Sequence, residues 1–298
     1  MNIVTLRAYA KINLSLDVVG RREDGYHLLE SVFQGVSLYD GVRVRRENGG
    51  GGIRIRCNLP YIPTDGRNIV YKVAEAFFKL AGIRQYQLTI ELHKTIPSGA
   101  GFGGGSADGA AVFSALCRLY RVSFPISKAI PVLSAIGADI PFFLYSGTML
   151  ATGIGEILTP APALKNCMIV LAKPRASVST KIIFQKLGEA GIANHPDTPG
   201  VLTALQAGNL RALGQAAGNV LEAAAIPVCP KIAILKNLLM QNGASCALMS
   251  GSGSGVFGLF EEDSAARRAA RALRRLTQCV FLARPVCRPM KTEFQATE

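Results

Sequence analysis

Apolar and polar positions along the chain change period several times. Residues 3–19 contain LRAYAKINLSLDVV, whose alternation predicts a strand. Ser31 to Val44 predicts a second strand. NGGGG at 48–52 reads as a hairpin tip before the alternating IRIRC of residues 53–57. From Asn68 to Ala81 the period becomes helical, with Val70, Val73, Ala74, Phe77 and Phe78 on one side. Gln87 to His93 alternates again. A glycine-rich segment then feeds a helix from about Ser106 to Tyr120, followed by two short helices and GADIPFFL. Pro160 and Pro162 mark Leu158 to Lys165 as a boundary, dividing the chain into 1–160 and 161–298. Beyond it, CMIVLA predicts a strand and Thr180 to Leu187 a helix. Two helical stretches fall between Gly200 and Met240. ASCALM and GVFGLF form a strand pair around SGSGSG, and a basic helix precedes the strand CVFLARPV. Strands mixed with helices in this order give an α+β fold.

Composition narrows the class. The chain is 49% hydrophobic and 18% charged, enough apolar material for a core and unlike a disordered tail. No apolar run approaches the roughly 20 residues of a spanning helix. Residues 1–20 include Arg7, Lys11 and Asp17 and do not read as a secretory signal, so a cytoplasmic protein with no membrane partner is expected. Seven scattered cysteines without a C-x-x-C pair predict buried, reduced thiols, Cys117 and Cys167 among them. His27, His93 and His195 have no ligand-spaced partners, so no protein-held metal centre is expected.

The net charge of +13 points to anionic ligands, either nucleic acid or phosphorylated metabolites. Part of it lies in SAARRAARALRRL, 264–276. At helical spacing Leu273 and Leu276 turn inward with the alanines while most arginines face out. The stretch lacks the aromatics that stack on bases, and the chain has no Trp, so a solvated helix face is expected there and nucleic acid is not.

The chemistry concentrates in PSGAGFGGGSADGAA. Five of the seven residues from Gly99 to Gly105 are glycine, an entropic cost that needs a structural use. Glycines let backbone N–H groups approach a ligand, and the segment runs into a helix whose first amides lack partners: an anion site suited to a nucleotide triphosphate. Gly99, Gly101 and Gly104 satisfy G-x-G-x-x-G, but no Asp or Glu lies between Gly109 and Ala138 to take a ribose. A P-loop requires a lysine after its last glycine, and here Ser106 follows Gly105. A protein kinase would put a lysine on a following strand, where this chain has a helix. The cation must come from elsewhere. Lys11, in the strand AYAKINLSL, is the candidate, with an edge-strand charge as its alternative. Within about 4 Å of a phosphate oxygen it would contribute around 4 kcal/mol at intermediate dielectric. Asp139, flanked by apolar residues in IGADIPFF, either caps a turn or reaches into a cleft as a base.

Taken together, AYAKINLSL, DGYHLLESVFQ, PSGAGFGGGSADGAA, GADIPFF, ATGIGEIL and MSGSGSGVF resemble the GHMP small-molecule kinases from Leu6 to about Phe260. DGYH, Asp24 to His27, resembles in particular the branch acting on a methylerythritol alcohol that carries cytidine diphosphate, in non-mevalonate isoprenoid synthesis. The resemblance implies a two-domain fold: a β-α-β ATP-binding domain over 1–160 and a ferredoxin-like α/β sandwich over 161–298, the latter binding substrate. It implies ATP and Mg²⁺, a monomer or weak homodimer, and Lys11 and Asp139 as the catalytic pair. Pro97, Ser98, Gly99, Ala100, Gly101, Phe102, Gly103, Gly104, Gly105, Ser106 and Ala107 would form the ATP loop, with Ser106 in reach of the ATP-borne metal. Asn13, Tyr26 and His27 would contact the cytidine substrate, Tyr26 stacking on cytosine, His27 bonding its edge, and Phe184 supplying the opposite face. Phe102 stands where the resemblance leads one to expect a smaller aliphatic residue at the adenine-side wall. Two alternatives are a GHMP kinase for mevalonate- or homoserine-type alcohols, for which DGYH serves no evident purpose, and a basic RNA-binding protein on a related β-α-β scaffold.

Overall fold

The computed structural model describes residues 2–145 and 147–286. Two long strands, β1 (Ile3–Arg21) and β2 (His27–Glu47), pair antiparallel from Ile3↔Arg45 to Arg21↔His27. The turn between them is built by DGYH. Asp24 Oδ1 accepts the Tyr26 N–H at 3.2 Å, the Tyr26 carbonyl accepts from Arg22 N–H at 2.7 Å, and Gly25 takes φ +89°. Next come β3 (Gly52–Cys57), α1 (Ile69–Ala81) and β4 (Gln87–His93). β3 and β4 are parallel neighbours with α1 as crossover, the expected β-α-β unit. The half continues with α2 (Gly104–Tyr120), α3 (Ile126–Ile136), α4 (Ile140–Tyr145), β5 (Thr148–Thr152) and β6 (Ile157–Pro160). Its sheet runs β3-β4-β2-β5-β6, with β1 along the other edge of β2. Helix α1 is capped by Asn68, which accepts the Val70 N–H, and stops at Gly82, φ +66°. Its predicted stripe is the buried one, and Phe77 at 0% exposure contributes roughly 2–3 kcal/mol of burial.

The second half contains β7 (Met168–Lys173), α5 (Thr180–Ala190), α6 (Thr198–Ala207), α7 (Leu210–Ala216), α8 (Glu222–Val228), α9 (Lys231–Gln241), β8 (Cys246–Met249), β9 (Val256–Phe260), α10 (Asp263–Leu273) and β10 (Cys279–Ala283). Its antiparallel sheet runs β10-β7-β9-β8, the ferredoxin-like order. One core lies under each sheet. A third is shared: Ala10, Ile12 and Leu14 of β1 pack with Ile169, Leu171 and Phe257. Backbone bonds cross the same seam, from Leu16 N–H to Gly218 O at 2.8 Å and from Val220 N–H to Leu16 O at 3.0 Å. β1, which carries Lys11 and Asn13, is thus fixed by both halves.

Several expectations are corrected. NGGGG is no hairpin tip: alternation identifies a strand but not its neighbour, and β4 inserts between β2 and β3. The glycine-fed helix begins at Gly104, two residues early, where a Cβ would lie 3.0 Å from Ile96 Cγ2, a tight fit that glycine relieves. The two helical stretches after Gly200 are four short helices, cut by Gly208 (φ +65°), the Asn209 cap and Pro230. β5 and β6 were not anticipated. Leu276 lies past the end of α10 and is 51% exposed, whereas Leu273 is buried and the five arginines of 267–275 face out. Cys117 is half-buried, its thiol pushed up to about 12 by burial, while Cys167 is buried. The Phe102 ring points away from the surface into the shared core, where it meets Gly255.

Candidate active site

The glycine loop is held open by backbone geometry. Gly99, Gly101 and Gly103 have φ +62°, +73° and +72°, the left-handed region that favours glycine. Gly103 opens α2 with no side-chain cap, and no acidic residue lies in its first turn, so the helix start presents unmasked amides. A cleft of about 540 Å³ runs over this loop, lined also by Ile62, Asn68, Lys94 and Thr180. Ser106, in the first turn, borders the cleft, and its Oγ lies 3.6 Å from where a Gly137 Cβ would be, just before Asp139.

The loop is clamped from below by the 250–255 segment. Ser250 Oγ donates to Gly101 O at 2.9 Å, Gly255 N–H to Ala100 O at 3.1 Å and Ser254 N–H to Gly99 O at 3.3 Å. On its other side the Lys11 N–H donates to Phe102 O at 3.0 Å, so the loop is tied to β1. Lys11 Nζ lies 3.3 Å from Asp139 Oδ2, 2.8 Å from Asn13 Oδ1 and 4.5 Å above the Phe33 ring. The Lys11 side chain is 4% exposed and that of Asp139 33%, so the carboxylate is the member that opens to solvent.

Asn13 is 1% exposed and its amide is bonded at both ends. Oδ1 accepts from Lys11 Nζ, from Gly251 N–H at 2.8 Å and from Ser250 Oγ at 3.3 Å, and Nδ2 donates to Ser31 Oγ at 2.9 Å. It therefore joins the Lys11–Asp139 pair to the segment that clamps the loop. The substrate-facing candidates form a second group at the β1–β2 turn. Tyr26 is 61% exposed. The ring stacked on Phe184 is that of His27, centroids 4.9 Å apart and 28° between planes. Burial first, and the charge of Arg21 second, hold the His27 imidazole below its usual pKa, leaving it neutral near pH 7 with one donor and one acceptor nitrogen.

Sequence reasoning missed a buried cluster beside the loop. Lys94 Nζ donates to Asp40 Oδ2 and to Asp108 Oδ2, with side-chain exposures of 5%, 0% and 3%. Burial alone would lower the Lys94 pKa, but the two carboxylates outweigh it and raise it. Burial, opposed by Lys94 and reinforced by Asp40, pushes Asp108 up to about 7. The signal was available: Lys94 lies three residues before Pro97, and Asp108 lies inside the glycine motif. The Asp17–His195 contact, 2.8 Å, was also missed.

Loop, clamp and Lys–Asp pair lie where the two halves meet along β1, and known proteins share that architecture. The GHMP kinase N-terminal domain matches residues 68–147 and the GHMP kinase C-terminal domain residues 201–277. The chain belongs to the GHMP kinase family. It is 39% identical over 280 residues to the 4-diphosphocytidyl-2-C-methyl-D-erythritol kinase of Lachnospira eligens, covering 92% of this chain and 94% of that one. A crystal structure of 4-(cytidine 5'-diphospho)-2C-methyl-D-erythritol kinase superposes with TM-score 0.79 at 35% identity, covering 95% and 99% of the two chains. A homoserine kinase from Cytophaga hutchinsonii superposes with TM-score 0.76 at 20% identity over 97% and 96%, a likeness of fold alone.

Proposed function

We propose that this kinase transfers the γ-phosphoryl group of ATP to the 2-hydroxyl of 4-diphosphocytidyl-2-C-methyl-D-erythritol, a step of non-mevalonate isoprenoid synthesis. The observation that carries the reading is the Lys11–Asp139 pair, 3.3 Å apart and tied through Phe102 to a glycine loop that opens a helix. Substrate choice rests on the relatives of about 40% identity, on Tyr26 and His27 at the β1–β2 turn, and on Phe184 of α5, whose ring stacks on His27. A neutral imidazole suits the mixed donor–acceptor edge of cytosine.

Phosphoryl transfer asks a protein mainly for positioning and charge stabilisation. The loop amides and the α2 start hold the phosphates. Asp139 orients the acceptor hydroxyl and takes its proton, and Lys11 steadies the carboxylate and the developing charge. Among the described residues no three His, Cys, Asp or Glu gather as a metal cage. The Ser106 hydroxyl, which borders the cleft, would be the protein ligand for a Mg²⁺ brought by ATP, and the ion would supply neutralisation of phosphate charge. In this division of labour, residues 1–160 hold ATP and the chemistry and 161–298 complete the acceptor site. The proposed setting is the cytoplasm and the proposed state a monomer or weak homodimer; no single helix among the described residues is long and apolar enough to cross a membrane.

The test is a coupled ADP-release assay against a panel of alcohols. The cytidine diphosphate methylerythritol should be turned over with kcat/KM at least about 10³-fold above mevalonate or homoserine, the discrimination expected when polar groups of the site hydrogen-bond a substrate edge that the other alcohols lack. Preferential turnover of either other alcohol would replace the proposed acceptor.

A further inference from the structure

We propose that Asp40, Lys94 and Asp108 form a latch that positions the ATP loop, and that Lys94 serves the loop's geometry rather than the nucleotide's charge. The inference deepens the kinase reading and rests on it. A lysine lining a phosphate cleft, three residues before a glycine loop that lacks the P-loop lysine, invites assignment as a phosphate ligand. Its surroundings argue otherwise. Its ammonium is already bound by two carboxylates, in a cluster where negative charge exceeds positive by one if all three groups are ionised. Freed toward ATP, Lys94 would leave the buried Asp40 and Asp108 without their shared cation, and Asp108 without its hydrogen-bond partner, a costly arrangement.

The same contacts tie three elements together at the loop. Asp40, on β2, accepts the N–H groups of Thr95 at 2.5 Å and Ile96 at 2.8 Å through Oδ1, and these residues lead directly into Pro97. Its Oδ2 accepts from Lys94. Lys94 reaches from there to Asp108 on α2. The Lys94 backbone is fixed as well: its N–H donates to Asn58 Oδ1 at 2.7 Å and its carbonyl accepts from Asn58 Nδ2 at 3.2 Å. At the helix start, a Gly104 Cβ would lie 3.4 Å from Asp40 Oδ2, so α2 packs directly on the latch. Asp108 uses one oxygen only; its Oδ1 is buried with no hydrogen-bond partner. Asparagine at 108 can therefore keep the bond to Lys94, whereas asparagine at 40 cannot supply both of the oxygens Asp40 uses.

The two roles predict opposite signs. If Lys94 were a phosphate ligand, Asp40→Asn would loosen its hold and either asparagine variant would remove a nearby negative charge, tightening ATP. The latch predicts that Asp40→Asn weakens ATP roughly tenfold or more, the loss of hydrogen bonds to a charged group, while Asp108→Asn stays within about threefold. The measurement is calorimetric titration of ATP into the full chain, with acceptor KM read separately by ADP release. Acceptor KM should move less than about twofold, where general loosening would raise both. If Asp40→Asn does not fold, Asp108→Ala against Asp108→Asn decides. Both remove the same charge, but alanine loses the acceptor for Lys94, and the latch predicts about fivefold weaker ATP binding for alanine. Equal affinity of that pair, or tighter ATP in either asparagine variant, overturns the latch alone. A wild-type chain that binds no ATP overturns the kinase reading, and the latch with it.

Discussion

Gly101→Ala isolates how closely the loop is built against its clamp. A Cβ on Gly101 would lie 1.9 Å from the Ser250 carbonyl oxygen and 2.7 Å from its carbon. Even a 3.0 Å contact requires about 1 Å of extra separation. Ser250 is poorly placed to yield. Its oxygen accepts from Gly253 N–H at 3.0 Å, its N–H donates to Gly255 O at 2.9 Å and its Oγ reaches Gly101 and Asn13. The loop therefore moves, and alanine at φ +73° adds roughly 1–2 kcal/mol of backbone strain. A shift of about 1 Å in a phosphate-holding loop is expected to lower kcat/KM for ATP by around 10²-fold. Gly82→Ala is the control. Gly82 has nearly the same φ, +66°, but nothing within 4 Å of a Cβ, so it should lose about 1 kcal/mol of stability and no activity. The assays are steady-state ADP release and thermal unfolding of both variants. A Gly101→Ala enzyme within about threefold of wild type would refute the claim that the 250–255 segment sets the loop position.

Asp139→Asn should lower kcat by roughly 10²–10⁴, the range for loss of a general base, with ATP affinity unchanged; near-normal turnover would remove Asp139 from the chemistry. Tyr26→Ala should raise KM for the cytidine substrate far more than for ATP, and equal effects would show Tyr26 to be misassigned. Asn13→Ala unties Lys11 from the Gly251 N–H and should lower kcat by about tenfold with smaller changes in either KM; an effect on acceptor KM alone would make Asn13 a substrate contact instead. For Asp108 the sign follows from its raised pKa. Above about pH 4 the unfolded chain ionises this carboxyl while the folded one keeps its proton, so its stabilising contribution is full at low pH and is lost as pH rises through about 7. Asp108→Asn cannot ionise, so its Tm relative to wild type should rise between about pH 4 and pH 7, and a difference that stays flat or falls there would contradict the assignment.

The parts of the site that were legible in sequence are those with local causes. Positive-φ glycines running into a helix announce themselves, as does a lysine in an apolar strand, and DGYH builds its own turn through Asp24 and Gly25. What escaped was set by pairing at long range. Nothing near NGGGG says that β4, some 35 residues on, will occupy the edge beside β2. Nothing near Asp40 says that its carboxylate will meet Lys94, 54 residues away. For Asn13 the family resemblance implies a substrate contact; the structure adds bonds from its amide to Lys11, Ser31, the Ser250 hydroxyl and the Gly251 N–H.

Those long-range bonds also explain why the two halves need each other. Lys11 and Asp139 belong to the first half, but Lys11 is aimed through Asn13, and Asn13 is held by Gly251 and Ser250 from the second. The same Ser250 fixes Gly101 of the loop, so a single serine–glycine corner positions both the phosphate site and the catalytic amine. From that corner Ser252 Oγ meets Thr180 Oγ1 at 2.7 Å, at the first turn of α5, which four residues later carries Phe184 to its stack with His27. Donor loop, catalytic pair and acceptor slot are therefore linked through one segment, 250–252, that touches no reacting atom in the proposed chemistry. A change there should disturb ATP use and acceptor use together, whereas a change in the Asp40–Lys94–Asp108 latch, on the opposite side of the loop, should disturb ATP alone.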